Sequence, residues 1–119
     1  MSIEWIQYAG RRILHVDYRD CRTQDDMIAQ LDEVTRMVGG ESGTLLALTN
    51  LEGCGIGPEF MDKAKHYAKD VWVKKDARHA IVGITGLTKI LLHGYLTFSG
   101  SQHTKPCATE DEAKAWLTG

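Results

Sequence analysis

The segment TLLALTNLEGCGIGP, residues 44–58, decides the fold class of this chain. Its first part is a continuous apolar run without alternation, which is typical of a strand covered on both faces. The glycine-rich stretch 51–57 follows as a loop. Pro58 then fits the first turn of a helix, where the missing N–H of proline costs nothing. The segment therefore predicts a strand, a loop and a helix, which together form the repeating unit of a parallel α/β sheet.

The sequence before this segment predicts a hairpin and a helix. Residues 3–8 and 12–18 are rich in strand formers, and Ala9-Gly10 between them has the composition of a tight turn. Thr23 has the features of a helix N-cap, and apolar residues at helical spacing follow it. The first strand is therefore expected to run antiparallel to the rest of the sheet, at its edge.

The sequence after the segment continues the alternation. Residues 80–84 predict a second buried strand, residues 87–98 a helix, and residues 106–108 a short edge strand after a loop at 100–105. A capping box at residues 109–112 predicts a final helix. We therefore expect an α/β fold in one domain over residues 1–119, with a mostly parallel sheet of four or five strands and right-handed crossovers.

Composition excludes several broad classes of protein. Of the 119 residues, 43% are hydrophobic and 25% charged, and the net charge is −2, which argues against disorder and against a nucleic-acid-binding surface. The three cysteines (Cys21, Cys54 and Cys107) are odd in number and widely spaced, as in a reducing compartment. Residues 81–98 are too polar to span a membrane, and the first residues lack the pattern of a signal peptide. We expect a cytoplasmic protein with neither a membrane span nor a nucleic-acid partner.

Four sequence segments together resemble a known family: residues 13–18, 48–50, 80–87 and 109–117. They resemble the SpoIIAA-like branch of the STAS domains, the bacterial relatives of anti-sigma-factor antagonists. The resemblance implies a strand–helix superhelix and a role in binding other proteins. In some STAS domains a serine or threonine is phosphorylated in the loop after the third strand. This branch is also compared with Sec14-type lipid-binding domains.

The chain departs from the family at that loop. Residues 50–59 contain neither serine nor threonine, and Thr49 lies at the end of the strand, too early to be equated with the phosphoacceptor. The family's phosphorylation switch is therefore not transferred to this chain.

A binding site is expected at the carboxyl ends of the strands, because ligands of open α/β sheets bind there. Polar, small residues and the glycine loop meet at this edge, and helix N-termini there favour anions over cations. Acidic groups nearby oppose that preference, so we expect weak anion binding at most. The predicted site residues are Asp17, Thr49, Asn50, Gly53, Cys54, Gly55, Thr85 and Gly86.

Catalytic and metal chemistry find little support in the sequence. Cys54 precedes a helix N-terminus, where the pKa of a thiol can fall, but no base is evident near it. His15 and Asp17 lie two apart on a strand and share a face, yet two ligands do not make a metal site. We predict no metal, no cofactor and no catalytic residue.

The helix predicted at residues 87–98 carries more apolar surface than one face requires. Leu92 and Leu96 lie largely outside its main apolar stripe. Three explanations stay open: burial within the monomer, a subunit interface, or the wall of an apolar pocket. The simplest interface is that of a two-fold dimer with Leu92 and Leu96 at the contact.

Three functions are compatible with these observations. The first is a non-enzymatic regulatory or interaction domain that binds a protein partner and forms homo-oligomers. The second is a carrier of an apolar small molecule or lipid, of the Sec14-like type. The third is an enzyme built around Cys54, which has the weakest support in the sequence.

Overall fold

The computed structural model of the protein describes residues 3–75, 77–83 and 104–119. Its described elements follow the chain as two strands, a helix, and then strands and helices in alternation. They are β1 (Ile3–Tyr8), β2 (Arg11–Asp17), α1 (Gln24–Gly40), β3 (Leu46–Asn50), α2 (Pro58–Tyr67), β4 (Arg78–Val82), β5 (Thr104–Cys107) and α3 (Glu110–Thr118). A π-helical turn (Ala68–Trp72) and a 3₁₀ turn (Val73–Lys75) continue α2.

The five strands form one mixed sheet in the order β1-β2-β3-β4-β5. β1 pairs antiparallel with β2 at one edge, and all other neighbours are parallel. This confirms the predicted α/β class, the mixed sheet and the antiparallel first strand. The directions of the three strands predicted to be parallel are confirmed as well.

Apolar side chains cover the sheet on both faces. On one face, Leu14, Val16 and Ile81 pack with α1 and α2. On the other face, Ile13 and Leu48 pack with α3 through Ala113 and Leu117. Successive residues of a strand point to opposite faces, so each central strand contributes apolar side chains to the packing on both faces of the sheet. This arrangement explains the apolar run without alternation in β3.

The β1–β2 hairpin turns on two residues with left-handed backbone. Ala9 has φ 52° and Gly10 has φ 76°, and Tyr8 pairs directly with Arg11 on either side of them. Positive φ at both central positions defines a type I′ turn, whose twist matches that of the strands. The predicted turn is therefore confirmed, although alanine is a rare residue in this conformation.

Both predicted helix caps are confirmed. The Thr23 hydroxyl accepts a hydrogen bond from the Asp26 N–H at 3.0 Å, and the Thr109 hydroxyl accepts one from the Glu112 N–H at 3.1 Å. Each bond satisfies an N–H that has no partner within its helix. The Glu112 carboxylate accepts in return from the N–H of Ala108 at 2.9 Å.

Two strands begin two residues earlier than the sequence predicts. β4 begins at Arg78 rather than at residue 80, because Arg78 and His79 already pair with β3. β5 begins at Thr104, inside the predicted loop 100–105, and Thr104 and Lys105 pair with β4. Both starts were missed because the residues there are polar and lack the apolar signal of a buried strand.

The predicted helix 87–98, with Leu92 and Leu96, lies outside the described residues, as do Thr85 and Gly86.

Candidate functional site

The carboxyl ends of β2 and β3 bring Asp17 and Asn50 side by side. The two residues are register partners at the end of the parallel ladder. Both lie on the sheet face that α3 covers. The first turn of α3 therefore stands against them and completes a polar cluster that we call the Glu110 cluster: Glu110, His15 and Asn50.

Glu110 receives hydrogen bonds from both of the other members. The Asn50 amide donates to its carboxylate at 2.7 Å, and His15 Nε2 lies 3.1 Å from each carboxylate oxygen. Burial alone raises the pKa of the Glu110 carboxyl, but the bonds from Asn50 and His15 outweigh it and leave this pKa below its ordinary value. The position at the start of α3 also suits a carboxylate. The cluster thus holds a fixed anion at the sheet edge.

Asp17 is bound by a neighbour two residues along the chain. Its carboxylate accepts bonds of 2.7–3.1 Å from the Arg19 guanidinium and one of 2.9 Å from the Arg19 N–H. The side-chain bonds from Arg19 are the main reason that the pKa of Asp17 lies below its usual value. This bidentate pair leaves Asp17 committed to Arg19 rather than to a ligand.

The glycine loop at residues 51–57 is held by one side chain of α1. The Gln24 amide donates to the Gly55 carbonyl at 2.7 Å and accepts from the Gly57 N–H at 2.9 Å. A Cβ atom at Gly57 would lie 2.8 Å from Gln24 Oε1, so a larger residue there would displace the Gln24 side chain from this position. These two hydrogen bonds, which we call the Gln24 bridge, tie the loop to the start of α1.

A second glycine fixes the other side of the loop. Gly83 has φ 90°, and a Cβ atom there would collide with the backbone of Glu52. The Leu51 N–H donates to the Val82 carbonyl at 2.8 Å, which anchors the loop to the end of β4. The loop is thus held by contacts on both sides, although Glu52, Gly53 and Gly55 are exposed.

A cavity of about 340 Å³ opens between the glycine loop and the segment before α1. Three of the predicted site residues, Gly53, Cys54 and Gly55, form one wall. The opposite wall includes Arg19, Cys21, Arg22 and Gln24. The lining is polar apart from the thiols and Met27, so the cavity suits a small hydrophilic group rather than an acyl chain.

The surroundings of the two thiols in this cavity favour the protonated form of each. Burial, followed by the charge of Asp17, raises the pKa of Cys54, and Arg19 offsets this only in part. Burial likewise raises the pKa of Cys21. The Cys54 thiol donates a hydrogen bond to the Tyr18 carbonyl at 3.3 Å. These surroundings weaken a nucleophile, because the thiolate is the reactive form.

Thr49 lies apart from the other predicted site residues. Its side chain is buried on the opposite face of the sheet, under α1 and α2, and its hydroxyl shares a 2.6 Å hydrogen bond with His79 Nε2. The imidazole of His79 stacks on Trp72 with ring centroids 4.7 Å apart. Burial lowers the pKa of His79 to about 4, so this imidazole is neutral at physiological pH.

The structure therefore divides the predicted site. Asn50 belongs to the Glu110 cluster and Asp17 lies beside it, paired with Arg19, whereas Gly53, Cys54 and Gly55 line the cavity. Thr49 is accessible from neither, and Thr85 and Gly86 lie outside the described residues.

Sequence reasoning missed the parts played by Glu110 and Gln24. Glu110 was assigned only to a helix cap, and its partners lie 60 and 95 residues away. The one sequence pattern that pointed to this cluster was that His15 and Asp17 lie two apart on a strand and so share a face.

Other described features bear on ligand chemistry. No three His, Cys, Asp or Glu side chains converge as metal ligands among residues 3–75, 77–83 and 104–119. In the same residues, no helix is long and apolar enough to cross a bilayer. No family model matches the chain, and the searches of curated proteins and of solved structures also find no match.

Proposed function

We propose that this chain is a non-enzymatic interaction domain of the STAS-like, SpoIIAA-like kind. It presents the glycine loop at the carboxyl edge of the sheet to a protein partner. The proposal combines the family resemblance in the sequence with the order of elements, a hairpin followed by alternating strands and helices. In this proposal the loop is a permanently formed surface rather than a phosphorylation switch.

The observation that carries the proposal is the Gln24 bridge. The Gln24 side chain accepts the hydrogen bond of the Gly57 N–H at the start of α2. A free helix N-terminus at this place would offer that N–H to an anion such as a phosphate. The bridge also fixes the exposed loop before any partner arrives. A preformed surface lowers the ordering cost of association, which favours binding.

The cavity beside the loop favours a second candidate, a small-molecule-binding domain. Its arginines and backbone groups suit a polar or anionic ligand of modest size. The apolar or lipid ligand of a Sec14-like carrier would instead depend on the predicted helix 87–98. Native mass spectrometry of protein purified from its own host distinguishes this candidate, because a carrier retains a ligand of defined mass.

Site-specific photo-cross-linking in the host tests the proposed function. A photo-reactive amino acid at position 52, in the exposed loop, is expected to trap one discrete protein partner. The matched control carries it at position 62 on α2, where the Asp62 side chain is 74% exposed. The variant Gln24→Ala releases the loop and is expected to reduce the adduct at position 52.

Two results would contradict the proposal. One is the same set of adducts from positions 52 and 62, which would mean that the loop has no partner of its own. The other is an adduct at position 52 that Gln24→Ala leaves unchanged while the thermal unfolding of this variant stays normal. A bound small molecule without any adduct would favour the second candidate.

A further inference from the structure

The outer edge of β1 faces no other strand among the residues that the structure describes. β1 is the first strand of the sheet, and within the described residues it pairs only with β2. Its six residues pair without a bulge, contain no proline and carry one charge, Glu4. A long, regular edge of this kind is a template for another strand.

The opposite edge of the sheet is protected. β5 has four residues, of which Pro106 lacks an N–H and Lys105 is charged and exposed. Proline and lysine are the residues by which proteins prevent pairing at an edge. The contrast singles out β1 as the edge that is open to pairing.

The hairpin turn determines which backbone groups of β1 point outward. In a two-residue turn the flanking residues, here Tyr8 and Arg11, exchange hydrogen bonds, and hydrogen-bonded pairs alternate with non-hydrogen-bonded ones. Ile6 and Glu4 therefore also bond to β2. The N–H and C=O groups of Ile3, Trp5 and Gln7 point away from the sheet.

A second copy of the chain can pair with these groups about a two-fold axis. With the axis at Ile6, Trp5 lies opposite Gln7 of the second copy, and the reverse pair follows by symmetry. These two pairs supply four backbone hydrogen bonds. The two Ile6 side chains then face each other across the axis, on the sheet face that α3 covers.

This register also brings opposite charges together. Glu4 lies opposite Tyr8 of the second copy, and Lys114 of α3 lies 5.9 Å from the centroid of the Tyr8 ring. Tyr8 is the large hydrophobic residue that stands out as exposed, at 39%. Glu4 is exposed and has no hydrogen bond or ion pair within the described part of the chain. Each carboxylate would thus reach the Lys114 ammonium of the second copy.

We propose that β1 pairs antiparallel with β1 of a second copy, so that two sheets join into one continuous ten-stranded sheet. Backbone hydrogen bonds provide the pairing, and the two Glu4–Lys114 contacts select the register centred on Ile6. The occupant of the edge is therefore the same chain rather than a segment of another protein.

Oligomeric state in solution tests this interface through a charge exchange. The unmodified protein is expected to be a dimer at micromolar concentration by light scattering and sedimentation. Glu4→Lys or Lys114→Glu places like charges in contact and should raise the dissociation constant by at least about tenfold. The double variant Glu4→Lys/Lys114→Glu restores opposite charges and should restore the dimer.

A second pair of variants tests the backbone bonds. Gln7→Pro removes an outward N–H but no bond to β2, so it should yield a folded monomer. Gln7→Ala keeps the N–H and should remain a dimer. Circular dichroism and thermal unfolding establish that each variant is folded, and Gln7→Ala is the reference for the loss of the side chain.

Several results would overturn the inference. A monomeric unmodified protein would do so, whether or not an extended peptide binds β1. A dimer that Gln7→Pro and the single charge variants leave intact would also do so. If Leu92→Glu/Leu96→Glu instead gave a folded monomer, the dimer contact would belong to the predicted helix 87–98. Cross-linking at position 52 tests the proposed function, and its outcome does not test this interface.

Discussion

The imidazole of His79 is a buried base that is neutral in the folded protein. Its pKa of about 4 lies below the ordinary value of 6.5 because burial disfavours the charged form. Unfolding therefore takes up a proton between these two values. The free energy of unfolding is fully retained above pH 6.5 and falls as the pH decreases toward 4, by up to about 3 kcal/mol.

The variant His79→Gln tests this titration. It keeps a hydrogen-bonding side chain near Thr49 but cannot be protonated, so its free energy of unfolding should change less between pH 6.5 and 4.5. Urea denaturation across that range measures the slope. The matched control is His66→Gln, because the His66 side chain is 58% exposed. A slope in His79→Gln equal to that of the unmodified protein would contradict the assignment.

Cys54 is expected to react slowly with electrophiles. Burial and the Asp17 carboxylate raise the pKa of its thiol, so little thiolate is present at neutral pH. In the variant Cys21→Ser/Cys107→Ser, alkylation of Cys54 by iodoacetamide should be slower in the folded protein than in urea. Mass spectrometry measures the two rates. Faster alkylation in the folded protein would revive the hypothesis of an enzyme built around Cys54.

At the scale of single elements, Gly83 shows how one residue joins a strand to the glycine loop. Its positive φ and the nearby Glu52 backbone both exclude a side chain. Gly83→Ala should therefore cost more than the strain of a left-handed backbone alone, which is about 1–2 kcal/mol. Gly43→Ala is the matched control, since Gly43 has φ 85° but open space around it. Equal losses of stability in the two variants by urea denaturation would mean that the Glu52 contact is unimportant.

The sequence predicted those elements whose signals are local. The apolar run in β3, the turn at Ala9 and Gly10, and the cap at Thr109 each depend on neighbouring residues, and the structure confirms them. The start of β4 was missed because Arg78 and His79 are polar. His79 is buried only because Thr49 and Trp72 meet it from distant parts of the chain.

The candidate site was predicted less completely for the same reason. The edge of the sheet followed from the order of elements, so Asp17 and Asn50 were found together. The hydrogen-bond partners of the Glu110 carboxylate could not be predicted, because a contact between residues 95 apart leaves no local pattern in the sequence. The Gln24 bridge spans 31 and 33 residues and was hidden in the same way.

At the scale of the whole molecule, α3 covers the second face of the sheet. Leu117 is fully buried there among Ile13, Leu48 and Ala113. Leu117→Ala should reduce the free energy of unfolding by about 2–5 kcal/mol, through lost burial and the cavity left behind. Urea denaturation measures the loss. Ala115→Ser on the exposed side of α3 is the control, and a similar small effect in both variants would show that α3 contributes little.

The strand order carries a consequence for synthesis on the ribosome. Each described strand after β1 pairs with the described strand that precedes it in the chain, so the sheet can grow in the direction of translation. The contacts of α3 are different, because Glu110 bonds to His15 of β2 and Leu117 packs on Ile13. These contacts can form only after α3 has been synthesised and has left the exit tunnel. A nascent chain that stops before α3 would leave Ile13 and Leu48 without the cover of this helix.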